Sequence, residues 1–480
     1  MSPTQTPKIN EEENHKLSFP QGFLWGCATS HFQIEGFPDE IQNRLSDWAN
    51  WTNDKSRIAD QTSADEACQF YQRHLDDLAL IEELGLKAFR ISFNWPALMM
   101  GQKGQLADRL DENAVRYYKQ FLAGLKRLDV KVFATLFHFT LPDWLSKDGG
   151  WLSDECPRQF ARFAELVARE FGNDVDFWLT INEPLAYAYQ GYVNGAWPPG
   201  IKNDYLSAFK SIRGQLKGHA VACKAIKSVL PEAKVSYTIH WRPFEPKNRF
   251  NPFDHFVVYL RNSVFNHLFP AAVRTGCLQF PFPLNLIGEV KKLEGKIDDL
   301  SDSCDFLAIN YYTREISTYN LAAPANIFGE RALNTSLTCN DMGWEVFPDG
   351  LYDVLVKESA VYQRGLDGRH LPVYITENGY ASTHAADLGP GDWSLNDNQR
   401  VDYLRLHLEA LYRAIKAGID VRGYLYWSLL DNFEWAEGLA ARFGLVRIVY
   451  PTQERKARAS AHEFAKIARS NELVFEASDG

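Results

Sequence analysis

Eight short runs rich in β-branched and aromatic residues recur along the chain, with helical patterns between them. They are FLWGCAT (23–29), AFRISF (88–93), KVFATLF (131–137), FWLTI (177–181), KVSYTIH (234–240), DFLAINYY (305–312), PVYIT (372–376) and VRGYLYWSL (421–429). Most are continuously apolar rather than alternating, which is how strands buried on both faces read. Amphipathic stretches at 65–85, 112–128, 157–172 and 398–418 carry apolar residues at helical spacing, and the first ends on a glycine. This alternation predicts a parallel α/β fold, and eight strands is the number that closes a (β/α)8 barrel. An open doubly wound sheet is the runner-up. It would be favoured by a glycine-rich phosphate turn, and neither GxGxxG nor GxxxxGK[ST] occurs. The expectation is one (β/α)8 TIM barrel with extended βα loops over 17–475, preceded by a disordered polar lead at 1–16. The intervals after the fifth and sixth candidate strands are long enough to wall a substrate pocket.

Charge narrows the partners. A net charge of −10 argues against nucleic acid and anionic membrane surfaces, both of which need basic patches. The N-terminal segment lacks the charged–apolar–small order of a signal peptide, and no apolar run is long enough to span a membrane. The seven cysteines are odd in number and scattered, with no CxxC, which predicts free thiols in a reducing cytoplasm. Self-association is left open. Thirteen tryptophans suit either a large core or stacking surfaces for flat ligands and sugar faces.

In a barrel, chemistry gathers at the carboxyl ends of the strands. The first strand is followed by Gln33, the second carries Arg90, and the third runs into His138. The fourth ends on Asn182 and Glu183, the sixth on Asn310 and Tyr312, and the seventh on Glu377. The eighth leads through Trp427 to Glu434 and Trp435. Two carboxylates facing across a polar pocket suit glycoside hydrolysis: one protonates the leaving oxygen, the other attacks the anomeric carbon or activates water. Arg90 could hold one carboxylate ionised, Asn182 could bind a hydroxyl, and the two tryptophans offer faces for a pyranose ring. Each residue alone also has an ordinary structural reading, as an ion pair, a core histidine or a core tryptophan. Two glutamates with histidine and asparagine would equally fit a divalent-metal site or carboxylate-assisted proton abstraction, although no HExxH spacing is present.

Taken together, these motifs resemble those of the family 1 glycoside hydrolases, the β-glucosidase and β-galactosidase group. The resemblance rests on FPQGFLWGCATSHFQIEG, DLALIEELGLKAFRISFNWP, FWLTINEP, YITENG and YWSLLDNFEWAEGLAARFGLVRI, in that order and spacing, from about Phe19 to Glu472. It implies a (β/α)8 barrel and a retaining double displacement on small β-glycosides or oligosaccharides, without metal or cofactor. Glu183 would be the acid/base and Glu377 the nucleophile. Gln33, His138, Asn182, Glu434 and Trp435 would bind the hydroxyls of the non-reducing sugar, with Trp427 as its platform and Phe443 closing the subsite. Arg90, Asn310 and Tyr312 would set the electrostatics, and Trp344 would lie on the leaving-group side. Retention needs carboxyl groups about 5–5.5 Å apart, against roughly 6.5–9.5 Å for inversion. Glu377 is then expected ionised at rest, held by Arg90 and Tyr312, and Glu183 protonated.

Three positions depart from the family pattern. Family members commonly read HWDLP after the third strand, where this chain has His138, Phe139 and Thr140. They read WPR where it has Trp95, Pro96 and Ala97, and many carry tyrosine where Leu439 stands. Two alternatives are weighed on residue identity. Phospho-β-glycosidases of the family typically carry Ser and Lys at the closing Glu-Trp, whereas Glu434 would repel a sugar phosphate. A non-catalytic sugar-binding protein on this fold usually loses a carboxylate, and this chain keeps both.

Overall fold

A computed structural model describes residues 15–37, 45–99, 101–322, 329–332, 338–383, 397–450 and 452–475. All eight predicted runs form parallel strands of one closed barrel. They are β1 Leu24–Ala28, β2 Ala88–Ser92, β3 Lys131–Phe137, β4 Phe177–Asn182, β5 Lys234–His240, β6 Leu307–Asn310, β7 Val373–Glu377 and β8 Val421–Trp427. The ring closes where Gly423–Trp427 of β8 pairs with Leu24–Ala28 of β1, which disposes of the open-sheet alternative.

The helices that follow the strands include α1 Phe70–Glu83, α2 Glu112–Arg127, α3 Glu155–Phe171, α4 Tyr205–Val229, α5 Leu268–Thr275, α6 Pro348–Asp353, α7 Asn398–Lys416 and α8 Ala459–Ser470. α1 starts five residues later than the pattern over 65–85 implied. Gln69 takes a left-handed conformation (φ 50°) at the N-cap, and Cys68 is turned inward to donate its thiol to the Ile34 carbonyl. Polar caps fix other starts: Asp111 accepts from the amides of Asn113 and Ala114, and Asp204 from that of Ser207.

The chain is ordered earlier than expected. His15–Ser18 forms an antiparallel pair with Glu472–Phe475, so residues 15 and 16 of the expected lead belong to a strand. Residues 1–14 lie outside the described residues.

The lower barrel is filled by aromatic rings. Phe133 stacks on Phe177 at 4.3 Å, and Tyr374 and Phe306 close against Phe177 at 5.1 and 5.5 Å. This plug leaves polar chemistry only the carboxyl end of the barrel. There the long intervals after β5 and β6 pair with each other: Glu315–Tyr319 runs parallel to Phe244–Pro246 and antiparallel to Gly329–Ala332. Arg314 pins this wall by donating to Glu245 and Glu345, at 2.9 and 2.7 Å.

Candidate active site

Both glutamates at the barrel mouth come after an irregularity in their strand. On β4, Leu179 pairs with Ser236 but Asn182 pairs with Thr238, so β4 holds one extra residue. On β7, Ile375 pairs with Ile309 but Glu377 pairs with Asn310, again with one extra residue. A bulge of this kind shifts the alternation of side chains and re-aims the residues beyond it. Asn182 is thereby turned into the barrel, where it meets Arg90, while Ile181 packs in the outer core. Glu183 sits one residue later in a left-handed conformation, φ 42°. Phe139 and Trp435 at the same mouth also have positive φ, at 70° and 50°, a clustering of backbone strain seen at functional sites.

Arg90 organises the centre and is fully buried. Its Nη1 donates to Glu377 Oε1 at 2.5 Å, its Nη2 to Asn182 Oδ1 at 2.7 Å, and its Nε to Thr135 Oγ1 at 3.0 Å. The second oxygen of Glu377 accepts from the Tyr312 hydroxyl at 2.7 Å. Glu183 Oε1 accepts from Asn310 Nδ2 at 2.6 Å, and Asn310 is oriented by Thr376 Oγ1, which donates to its Oδ1 at 2.8 Å. Glu183 Oε2 faces His240 Nδ1 at 3.4 Å.

These bonds fix the state of His138. Because Asn182 Oδ1 is occupied by Arg90, its Nδ2 must donate to His138 Nε2, 3.2 Å away. The imidazole proton is therefore on Nδ1, which is buried and has no partner among the described residues. Burial and then the Arg90 charge hold this histidine well below its ordinary pKa, so it is neutral. Gln33 is held by Ser30 Oγ, which donates to its Oε1 at 2.6 Å, and its own Nε2 donates to Glu434 Oε2 at 3.0 Å. Burial, then the negative charge of Glu377, push Glu434 up to about 8.

The remaining candidates converge on the same mouth. His138 lies nearly parallel to both Trp427 and Trp435, at 5.9 and 6.1 Å. Trp344 packs on Tyr312 at 5.5 Å and on Phe443 at 6.1 Å, and its amide is held by Asn340 Oδ1. Phe139 packs on Trp435 at 5.2 Å and Trp197 at 4.7 Å, while Thr140 Oγ1 bonds His31 Nε2 at 2.8 Å.

The charges run against the order expected for the two acids. Burial pushes Glu377 up to about 7, aided by the charge of Glu183 and only partly offset by Arg90 and Tyr312. Burial also raises Glu183, but the charge and hydrogen bond of His240, with the Asn310 amide, more than offset it and draw this carboxyl below the usual range. The two acids act as a pair that holds one proton to about pH 7. That proton is drawn from Glu377 by Arg90 and Tyr312 and from Glu183 by His240 and Asn310, so both carboxyls compete for it.

His240, which faces Glu183, is missed by the reading of the strand ends, although it is the last residue of β5 and the same rule reaches it. Thr135 and Thr376, which orient Arg90 and Asn310, carry no signal beyond their place on a strand. Among the described residues no three His, Cys, Asp or Glu side chains are grouped to hold a metal ion.

The model of glycosyl hydrolase family 1 matches residues 15–473. Beta-glucosidase A of Thermotoga maritima is 32% identical over 466 residues, covering 95% of this chain and 98% of that protein. A 6-phospho-beta-galactosidase of Clostridium acetobutylicum is 29% identical over 487 residues, covering 95% and 98%. Among solved structures, a family 1 β-glucosidase from Thermotoga maritima superposes with a TM-score of 0.86 at 30% identity, covering 95% of this chain and 99% of that one.

Proposed function

The chain belongs to glycosyl hydrolase family 1 and is a glycoside hydrolase, and from that premise we propose that it is a retaining β-glycosidase. In this reading it removes terminal non-reducing β-D-glycosyl residues, glucosyl first, with galactosyl and fucosyl also accepted. The observation that carries the reading is the pair of buried carboxyls from β4 and β7, joined through Asn182 and Arg90.

Glu377, with one oxygen on Arg90 and one on Tyr312, attacks the anomeric carbon as the bond to the leaving oxygen breaks. Glu183 gives its proton to that oxygen. Esterification removes the charge of Glu377. Glu183, now a carboxylate, takes a proton from water as the water oxygen attacks the same carbon and the ester bond breaks. Two inversions return the β-anomer.

The neutral His138 offers its Nδ1–H to a sugar hydroxyl, with Gln33, Asn182, Glu434 and Trp435 binding others. Trp427 lies under the ring, Phe443 closes that side, and Trp344 meets the leaving group. Glu434 can contact both O4 and O6, so either C4 epimer fits. Its carboxyl, charged or neutral, brings no positive charge to a 6-phosphosugar and so counts against one, despite the phospho-β-galactosidase among the relatives. The odd count of seven scattered cysteines, with no CxxC, supports a reducing, cytoplasmic setting.

The test is a panel of p-nitrophenyl β-glycosides, gluco, galacto, fuco, manno and 6-phosphogluco, with proton NMR following the anomer first released. Turnover of unphosphorylated β-glycosides with β-product first is the expected result. α-Product first would overturn the double displacement. Silence on the whole panel would overturn the substrate class.

A further inference from the structure

The last residue of β5 faces the candidate acid directly. His240 Nδ1 lies 3.4 Å from Glu183 Oε2, while the other oxygen of that carboxyl is committed to Asn310. The imidazole is buried between two rings that meet it edge-on, Phe265 at 5.6 Å and Tyr312 at 5.7 Å. Its Nε2 is also buried and has no hydrogen-bond partner among the described residues. A proton on Nε2 would be a buried donor without an acceptor, which is costly. A proton on Nδ1 points at an oxygen of the Glu183 carboxyl. The ring environment therefore selects the Nδ1–H form.

The neighbouring charges are engaged elsewhere. Arg90 of β2 reaches Glu377 and Asn182, and the Tyr312 hydroxyl beyond β6 donates to Glu377 of β7. Arg242, two residues past His240, lies over the Phe265 ring and reaches Glu315. This leaves His240 as the titratable side chain set against Glu183 Oε2.

We propose that His240 is a positioning residue for proton transfer: its Nδ1–H orients the Glu183 carboxyl and stabilises the carboxylate left once the proton has passed to the leaving oxygen. The inference rests on the reading of Glu183 as acid/base. A separation of 3.4 Å is long for such a bond, and contacts of this kind tighten when substrate fills the site. When the leaving-group bond breaks, the proton of Glu183 goes to the departing oxygen and its negative charge appears beside His240, while the charge of Glu377 is lost to the ester. When water attacks, its proton returns to Glu183 and the contact relaxes. The same contact offsets the burial that would otherwise raise Glu183.

Two variants and one wild-type measurement test this. His240→Leu removes the donor, so the basic limb of the kcat/KM profile for an alkyl β-glycoside should move up by about one pH unit. His240→Asn keeps a donor nitrogen at the position of Nδ1 and should leave the limb near that of the wild type. A limb unmoved in His240→Leu, or moved equally in both variants, would overturn the proposal. Nitrogen-15 NMR of histidine-labelled wild-type enzyme should find the Nδ1–H tautomer at His240, and an Nε2–H tautomer would overturn it without any variant. A wild-type enzyme silent on every β-glycoside would instead count against the functional reading.

Discussion

Arg90 donates to Glu377, Asn182 and Thr135 with all three of its nitrogens while fully buried. A buried cation so placed keeps its geometry only if its partners keep theirs, and removal of one partner leaves an unpaired charge, a loss of about 3–5 kcal/mol. Substitutions at the acids must therefore be read against folding as well as chemistry. Glu377→Ala should abolish turnover in a protein of lowered thermal stability, and azide or formate should restore part of the activity with an α-product. An active Glu377→Ala variant would sink the assignment of the nucleophile. Glu183→Ala leaves Arg90 its partners. It should slow alkyl glycosides far more than aryl glycosides with good leaving groups, and equal losses on both would argue against an acid role.

At the scale of the element, the bulges in β4 and β7 separate what a sequence can say from what it cannot. Apolar runs between amphipathic stretches made all eight strands legible, because burial on both faces imposes composition over several residues. The residues at the strand ends were legible because a barrel collects them at one mouth. Which way each side chain faces was not legible, since a single extra residue reverses the alternation and leaves no compositional trace. Asn-Gly after Glu377 reads as a turn. Here Gly379 is instead a close approach: a β-carbon on it would lie 1.9 Å from the Trp427 carbonyl oxygen, and Asn378 is tied to Tyr403, Tyr424 and the Tyr311 carbonyl. Gly379→Ala should then push the end of β8 away from β7, costing about 1–3 kcal/mol of stability. It should also lower kcat/KM, because Trp427 carries the sugar platform. A variant with wild-type melting temperature and kinetics would mean that the two strand ends separate without consequence for the site.

Across the whole molecule, buried titratable groups of two kinds set the dependence of stability on pH. Glu35, bonded to Tyr118 and Asn94, is pushed up to about 7 by burial, as is Asp47. Glu377 reaches about 7 and Glu434 about 8. A carboxyl raised by folding contributes stability that is complete below its unfolded pKa of about 4 and is lost as pH rises through the folded value. Burial acts on the histidines in the other direction, lowering His31 and His407 to about 3, His219 to about 4, and His138 well below its ordinary value. Their contribution is complete above about 6.5 and is lost as pH falls below it. Between about 4.5 and 6.5 the two sets oppose each other. Above 6.5 the histidines no longer change and the carboxyls alone decide. The melting temperature should therefore be nearly level from about pH 5 to 6.5 and fall steadily toward pH 8. Glu35 alone accounts for about 1 kcal/mol of that fall, the rest of its contribution being lost below pH 6.5. Calorimetry across pH 4–9 checks the shape, and Glu35→Gln, which cannot ionise, should flatten the alkaline decline. A melting temperature that stays constant or rises between pH 6.5 and 8 would mean that these carboxyls are already ionised in the folded barrel.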